Sequence, residues 1–155
     1  MPDMLVKLYQ LPDCLEDIKN LSEDGIKIRR PIPPEKSTLV QWVRKNFGTK
    51  WADECSVSFA RKPVSSLIAY RRKEVLGFAC YDTTCRDFFG PTGVVEKARG
   101  QGIGKVLLLK SLEAMREMGY AYAIIGGAGP VDYYKKVCGA EVIEKSEQGI
   151  YKDIL

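Results

Sequence analysis

The segment Arg99–Lys105, with the sequence RGQGIGK, has the composition of a phosphate-binding turn. It stands between an apolar stretch and a helical pattern, an order that predicts a strand, a tight turn and a helix N-terminus. The free N–H groups and the dipole of a helix N-terminus attract anions, and glycines let a phosphate approach the backbone closely. Lys97, Arg99 and Lys105 add positive charge beside the turn. We therefore expect this segment to hold a phosphorylated ligand.

Two common phosphate motifs do not fit the spacing of these glycines. A nucleoside-triphosphate loop needs four residues between its first glycine and its Gly-Lys pair, with Ser or Thr after the lysine. Here three residues separate Gly100 from Gly104, and Val106 follows Lys105. A dinucleotide motif beginning at Gly100 and Gly102 would need a third glycine where Lys105 stands. A nucleotide-binding protein is therefore disfavoured.

A third pattern, [QR]-x-x-G-x-[GA], is matched by Arg99, Gly102 and Gly104. About thirty residues later comes the segment DYYKKVCGAEVI, and the part before the turn shows two helical patterns followed by a predicted hairpin. Together these features resemble the GCN5-related N-acetyltransferase (GNAT) superfamily, in which this pattern binds a pyrophosphate. The resemblance covers roughly residues 25–155.

The periodicity of apolar residues predicts an α/β (α+β) fold in which strands and helices are mixed. Strands are predicted at 4–9, 25–30, 87–96, 120–127, 140–144 and 149–155, with a hairpin at 65–82. Helices are predicted at 15–21, 33–47, 51–61, 102–118 and 131–138. The resemblance implies a mixed, mostly antiparallel sheet flanked by about four helices. It also implies one N-acetyltransferase domain over 1–155, made of an N-terminal extension at 1–24 and a GNAT core at 25–155.

The resemblance implies that acetyl-CoA is the cosubstrate and that no metal takes part. In the superfamily, a strand corresponding to 91–96 splays from the strand corresponding to 121–126, and its main chain pairs with the pantetheine arm. A backbone N–H of the same strand would donate to the thioester oxygen. The cofactor contacts implied for this chain are Val94, Val95, Arg99, Gly100, Gln101, Gly102, Ile103, Gly104 and Lys105.

Acetyl transfer to an amine requires a base and a group that protonates the departing thiolate, because primary amines are mostly protonated at neutral pH. The resemblance implies that Tyr134 is the general acid. Gly139 follows Tyr134 by five positions rather than the family's four, so Tyr133 is the alternative. Asp87 is our candidate for the base. The other carboxylates that remain open are Asp53, Glu54, Asp82 and Glu96, and an ordered water chain could replace them all.

Composition excludes several other classes of site. The chain has no histidine, which removes Ser-His-Asp hydrolysis and histidine metal sites. Its five cysteines include no C-x-x-C pair and are expected to be free thiols in a reducing compartment. A net charge of +4 suits an anionic ligand but is too small to indicate nucleic acid. With neither a signal peptide nor an apolar span, we expect a cytoplasmic protein.

The leading hypothesis is an enzyme that transfers an acetyl group directly from acetyl-CoA to a primary amine. A small-molecule acceptor is favoured over a protein, but the sequence does not identify it. The alternative is a non-catalytic acyl-CoA-binding module, a sensor or structural partner that uses the same turn. A homodimer is compatible with the resemblance, and no interface can be recognised in the sequence.

Overall fold

A single seven-stranded sheet organises the computed structural model, which describes all 155 residues. Its strands are β1 (Met4–Lys7), β2 (Lys27–Arg29), β3 (Ser66–Arg71), β4 (Glu74–Tyr81), β5 (Phe88–Val94), β6 (Tyr122–Ile125) and β7 (Glu141–Val142). They lie in the order β2-β3-β4-β5-β6-β1-β7. Every neighbouring pair is antiparallel except β5 and β6, which are parallel. The prediction of a mixed, mostly antiparallel sheet is therefore confirmed.

Five α-helices cover the two faces of this sheet. They are α1 (Leu15–Glu23), α2 (Lys36–Phe47), α3 (Thr49–Val57), α4 (Ile103–Glu117) and α5 (Val131–Cys138). Alternate residues of β4 face opposite layers, since Ala79 and Tyr81 pack with α4 whereas Phe78 and Cys80 pack with α2 and α3. None of these helices combines the length and apolarity needed to cross a membrane.

Helix α4 is the centre of the larger apolar layer. Leu107, Leu112 and Met115 are fully buried on its inner face. Burial of each such side chain contributes roughly 1.5–3 kcal/mol. Gly77 of β4 lies directly beneath the helix, because a Cβ there would stand 3.1 Å from the Leu107 side chain. This close packing fixes the N-terminus of α4 against the middle of the sheet.

Strands β5 and β6 separate soon after they meet. Their parallel pairing is limited to Phe88 with Ile124 and Phe89 with Ile125, after which β6 ends. Strand β5 continues to Val94 alongside β4 alone, with a register shift opposite Gly90. Since nothing pairs with the free edge of β5 beyond Phe89, a cleft opens there. The prediction of a splayed strand pair is confirmed.

Residues 1–24, which the sequence suggested to be an extension, form a strand and a helix that are integral to the core. Strand β1 lies between β6 and β7 rather than at the edge of the sheet. Met4 and Val6 are fully buried. Helix α1 packs on α4, where Leu21 belongs to the same apolar cluster as Leu107. The sheet would lose an internal strand without this segment.

The predicted strand at 149–155 is wrong, because this segment contains only a 3-10 turn at Gly149–Tyr151. Gln148 and Asp153 have positive φ angles of 69° and 64°, which interrupt an extended chain. The preceding strand is also shorter than predicted, since β7 covers two residues of 140–144. The last residues consequently fold back beside the cleft instead of extending the sheet.

Candidate functional site

The separation of β5 from β6 creates a cleft of about 1290 Å³. Small-molecule sites usually measure roughly 300–1,000 Å³, so this cleft has room for more than one small ligand. Its wall comes from β5, the start of α4, the turn after β6, and side chains of α3, α5 and the C-terminal segment. The lining includes Phe89–Val94, Ala98–Gly100, Gly102–Lys105, Ile125–Pro130, Trp51, Glu54, Tyr133, Tyr134, Gln148 and Tyr151–Asp153.

The glycine turn at one end of the cleft depends on backbone conformation. Gly100 and Gly102 have φ angles of +81° and +89°, in the left-handed region that side chains disfavour. A Cβ at either position would meet no atom within 4 Å, so conformation rather than crowding requires glycine. Gly102 is the N-cap of α4. The first N–H groups of the helix have no intrahelical partners, and the residues that carry them line the cleft.

Two cationic side chains flank this turn. Arg99 donates from Nε to the carbonyl oxygen of Val94 at 3.1 Å. The Nζ of Lys105 lies 3.1 Å from a carboxylate oxygen of Asp17 on α1, and this ion pair partly offsets the positive charge of Lys105. Lys97, by contrast, pairs with Glu74 and does not line the cleft. Positive charge at the turn therefore comes from Arg99, Lys105 and the helix dipole.

The end of β5 presents main-chain groups to the cleft. The N–H of Val95 donates to Leu76 of β4 at 2.9 Å. Because successive peptide groups of a strand point to opposite sides, those of Val94 face away from β4 and toward the cleft. The structure thus brings Val94 to the cleft but not Val95. Gln101 also lies outside the lining, where its side-chain amide donates to the Ala98 carbonyl.

Both tyrosines of α5 line the cleft. Tyr134 is 7% exposed, and burial, followed by its neighbours Tyr133 and Cys138, raises its pKa to about 12. Its phenol is consequently protonated across the physiological range and remains a hydrogen-bond donor. Tyr133 is 37% exposed, and its hydroxyl lies 3.7 Å from the position a Cβ on Gly104 would take. The Tyr133 hydroxyl is therefore a neighbour of the start of α4, and the distinct roles of the two tyrosines stay a prediction.

Asp87 lies at the start of β5, outside the cleft lining. Its backbone N–H donates to the Asp82 carboxylate at 2.6 Å. Burial and the negative charge of Asp82 raise the pKa of Asp87 to about 6. Asp82 also accepts a hydrogen bond from Tyr120 at 3.0 Å and lies 3.8 Å from Arg61. This cluster holds the loop before β5, and the structure does not bring it together with the tyrosines of α5.

Helix α3 brings two side chains into the cleft that the sequence did not single out as a pair. Trp51 and Glu54 stand three residues apart, so they share one face of the helix. Glu54 accepts a hydrogen bond from the Thr84 hydroxyl at 2.5 Å. The i, i+3 spacing is the sequence signal that relates these two side chains. Asp53, the other acidic candidate on this helix, points elsewhere and lies 3.5 Å from Arg44.

Tyr151 reaches the cleft from the C-terminal segment. Its hydroxyl would stand 3.1 Å from a Cβ on Gly126, at the end of β6. Asp3 helps to hold this region, since it accepts a hydrogen bond from Gly127 at 2.8 Å and leaves no room for a side chain at Gly149. Nothing in the sequence around Tyr151 indicated this position. No group of three or more acidic, cysteine or histidine side chains is arranged to hold a metal ion.

Several solved structures have a similar fold. One is the GCN5-related glucosamine N-acetyltransferase region of a fungal multi-domain GH3 beta-N-acetylglucosaminidase, with 14% identity over 92% of this chain and 19% of that one, and a TM-score of 0.74. A second is a GCN5-related N-acetyltransferase from Sphaerobacter thermophilus, with 19% identity over 92% of this chain and 48% of that one, and a TM-score of 0.65. The chain therefore spans about a fifth and about half of these two proteins.

A third similar structure is a GNAT family acetyltransferase from Brucella melitensis, which was determined in complex with acetyl-CoA. Its identity is 22% over 72% of this chain and 80% of that one, with a TM-score of 0.57. These likenesses show the fold. No significant match was found among curated protein sequences. The model of the acetyltransferase (GNAT) family matches residues 33–140, well over half of the 155 residues. The chain therefore belongs to the GNAT family of acetyltransferases, as its sequence predicted.

Proposed function

We propose that this protein is an N-acetyltransferase that transfers an acetyl group directly from acetyl-CoA to a primary amine. The observation that carries the proposal is the course of β5, whose unpaired edge leads from the middle of the cleft to the glycine turn. This arrangement suits an extended ligand with an anionic end. The pyrophosphate would lie on the N–H groups at the start of α4, beside Arg99 and Lys105.

The thioester end would then lie along β5. Main-chain groups of Val94 face the cleft, where its N–H is able to donate to the pantetheine arm as a neighbouring strand would, while its carbonyl accepts from Arg99. A backbone N–H of the same strand would stabilise the carbonyl oxygen as it becomes anionic. One such donor typically contributes about 10²–10³ in rate.

The chemical step requires the amine nitrogen to lose a proton and attack the thioester carbon. A carbon–nitrogen bond forms, the carbon–sulfur bond breaks, and the sulfur leaves as a thiolate. Tyr134 is the proposed donor to this sulfur, and the second proton that the nitrogen releases as the amide forms returns to the phenolate. Since its pKa is raised to about 12, the phenol retains its proton at neutral pH until the thiolate develops. Tyr133 is the alternative donor because its hydroxyl also faces the cleft.

Ligand-dependent thermal unfolding tests the binding half of this proposal. A ligand present at 100 times its dissociation constant stabilises a protein by roughly 2.7 kcal/mol. We expect a clear rise in Tm with acetyl-CoA and no comparable rise with ATP and magnesium. The absence of any shift with acetyl-CoA would contradict the proposal. Release of free thiol that depends on an added amine then distinguishes an enzyme from an acyl-CoA-binding module.

A further inference from the structure

The cleft has a second end that the proposed cofactor site does not use. Thr83 donates to the Gly90 carbonyl at 3.2 Å, and Thr84 donates to Glu54, so this loop joins the early part of β5 to α3. The glycine turn instead follows Val94. At a rise of about 3.3 Å per residue, the four residues from Gly90 to Val94 separate the two ends by about 13 Å. An acceptor that meets the thioester end of an extended cofactor would find its contacts near Gly90.

Glu54 provides a carboxylate at this end without a cationic partner. None of the ion pairs in the protein involves Glu54. Its only side-chain hydrogen bond comes from Thr84. Tyr151 and Glu54 line the same cleft. Burial, and then the negative charge of Glu54, raise the pKa of Tyr151. An ammonium group entering here would supply the missing positive charge.

Trp51 provides an apolar surface beside the same carboxylate. Its side chain is 38% exposed and stacks on Phe47, with ring centroids 5.5 Å apart. Phe47 in turn lies against Gly93 of β5, where a Cβ would stand 2.6 Å from the ring. A glycine in β5 therefore lets Phe47 hold Trp51 at the wall of the cleft. Aromatic faces attract cations and bury apolar groups.

Building on the proposed acetyl transfer, we propose that Trp51, Glu54 and Tyr151 form the acceptor subsite, which selects small primary amines with an apolar or aromatic body. The Glu54 carboxylate binds the ammonium group, and the Trp51 face covers the apolar body. Tyr151 closes the subsite from the C-terminal segment, which restricts access by a folded protein chain. Glu54 also receives the proton that the ammonium loses before its nitrogen attacks the thioester.

Binding measurements in the presence of CoA test the selectivity. Three probes separate the two contacts: 2-phenylethylamine has both features, ethylamine lacks the aromatic body, and 2-phenylethanol lacks the charge. Calorimetric titration of the wild-type protein is expected to give the tightest binding for 2-phenylethylamine, by at least about tenfold over each of the others. Failure of 2-phenylethylamine to bind, or equal binding of ethylamine, would overturn the assignment.

Glu54→Gln tests the carboxylate, and Asp53→Asn is its matched control on the same helix. Hydrogen bonds to charged groups contribute about 1.5–3 kcal/mol, which corresponds to about 10–160-fold in affinity. We expect Glu54→Gln to weaken 2-phenylethylamine by that factor and Asp53→Asn to change it less than twofold. Thr84→Val, which removes the hydroxyl that holds the carboxylate, should give a smaller loss in the same direction.

Acetyl-CoA affinity separates failure of this inference from failure of the proposed function. All variants should retain the wild-type dissociation constant for acetyl-CoA within about twofold. Wild-type protein that does not bind acetyl-CoA would contradict the proposed function itself. Normal acetyl-CoA binding with an unchanged amine affinity in Glu54→Gln would overturn only the acceptor subsite. Faster acetylation of a lysine peptide than of 2-phenylethylamine would likewise overturn it.

Discussion

The two ends of the cleft are built in different ways. The turn at Arg99–Lys105 is one continuous segment whose backbone, through two left-handed glycines and a helix N-terminus, makes most of the site. The opposite end combines side chains from separate parts of the chain, namely Trp51 and Glu54 of α3, Thr84 of the loop before β5, and Tyr151. A backbone site requires a local pattern of glycines, whereas a side-chain site requires a tertiary arrangement.

The largest expected effect belongs to the proposed general acid, which lines the cleft between its two ends. Tyr134→Phe removes the phenol proposed to donate to the departing sulfur, and proton transfer by a positioned group typically contributes 10²–10⁴-fold. We expect kcat to fall about 100-fold while the dissociation constants of acetyl-CoA and of the amine change little. Steady-state kinetics with a confirmed amine measure this effect.

Tyr133→Phe is the comparison for that variant, since the two rings are neighbours with centroids 5.4 Å apart. We expect it to retain kcat within about threefold. A larger loss in Tyr133→Phe than in Tyr134→Phe would transfer the role to Tyr133. It would also widen the departure from the family's spacing, since Gly139 follows Tyr133 by six positions and Tyr134 by five.

The second largest effect is expected for a substitution in the glycine turn, and it should weaken acetyl-CoA binding without weakening amine binding. Gly102→Ala forces a side chain into a left-handed conformation, which costs about 1–2 kcal/mol and displaces the first N–H groups of α4. We expect the dissociation constant of acetyl-CoA to rise about tenfold, measured by calorimetric titration, with amine binding to the CoA-saturated protein retained. A loss of amine affinity as large as that of acetyl-CoA would show that the two ends are not independent.

Gly119→Ala is a matched control because Gly119 ends the same helix. Its φ angle is +101°, and a Cβ there would also meet no atom within 4 Å. Both alanine variants should therefore lose similar stability, measured by chemical unfolding. Only Gly102→Ala should weaken acetyl-CoA. Equal weakening by Gly119→Ala would mean that helix stability, and not the N-terminal N–H groups, controls cofactor binding.

The same contrast explains what could be predicted from the sequence. Helix α4 was expected at 102–118 and is observed at Ile103–Glu117, because its apolar periodicity and glycine boundaries are local signals. The family resemblance rests on the same contiguous stretch. The strand expected at 149–155 failed because positive φ angles and the contact of Gly149 with Asp3 depend on residues distant in the sequence. Tyr151 could not be placed for the same reason.

Asp87 shows that nearness in the sequence need not place a side chain in the cleft. It was the candidate base because it stands before the cofactor strand, yet its carboxylate belongs to the cluster with Asp82. Glu54, thirty-odd residues earlier in the chain, lines the cleft instead. If Asp87 belongs to neither end of the cleft, Asp87→Asn should leave the rate of acetyl transfer at pH 7.5 within about twofold of wild type. A loss of more than tenfold would restore Asp87 as the base.

Stability provides an independent measurement on Asp87→Asn. The pKa of Asp87 is raised from its ordinary value of 3.8 to about 6, so the folded protein binds this proton more tightly than the unfolded chain does. The contribution of Asp87 to the free energy of unfolding of the wild-type protein is therefore highest below pH 4, and it falls as the pH rises to about 6. Asparagine carries no such charge and tolerates the positive φ of 66°. The free energy of unfolding of the variant, relative to that of wild type, should consequently rise by about 1 kcal/mol from pH 4 to pH 7, after allowance for partial exposure. Urea unfolding at both pH values measures the difference, and a gain that is the same at both would show that the charge of Asp87 is not its cause.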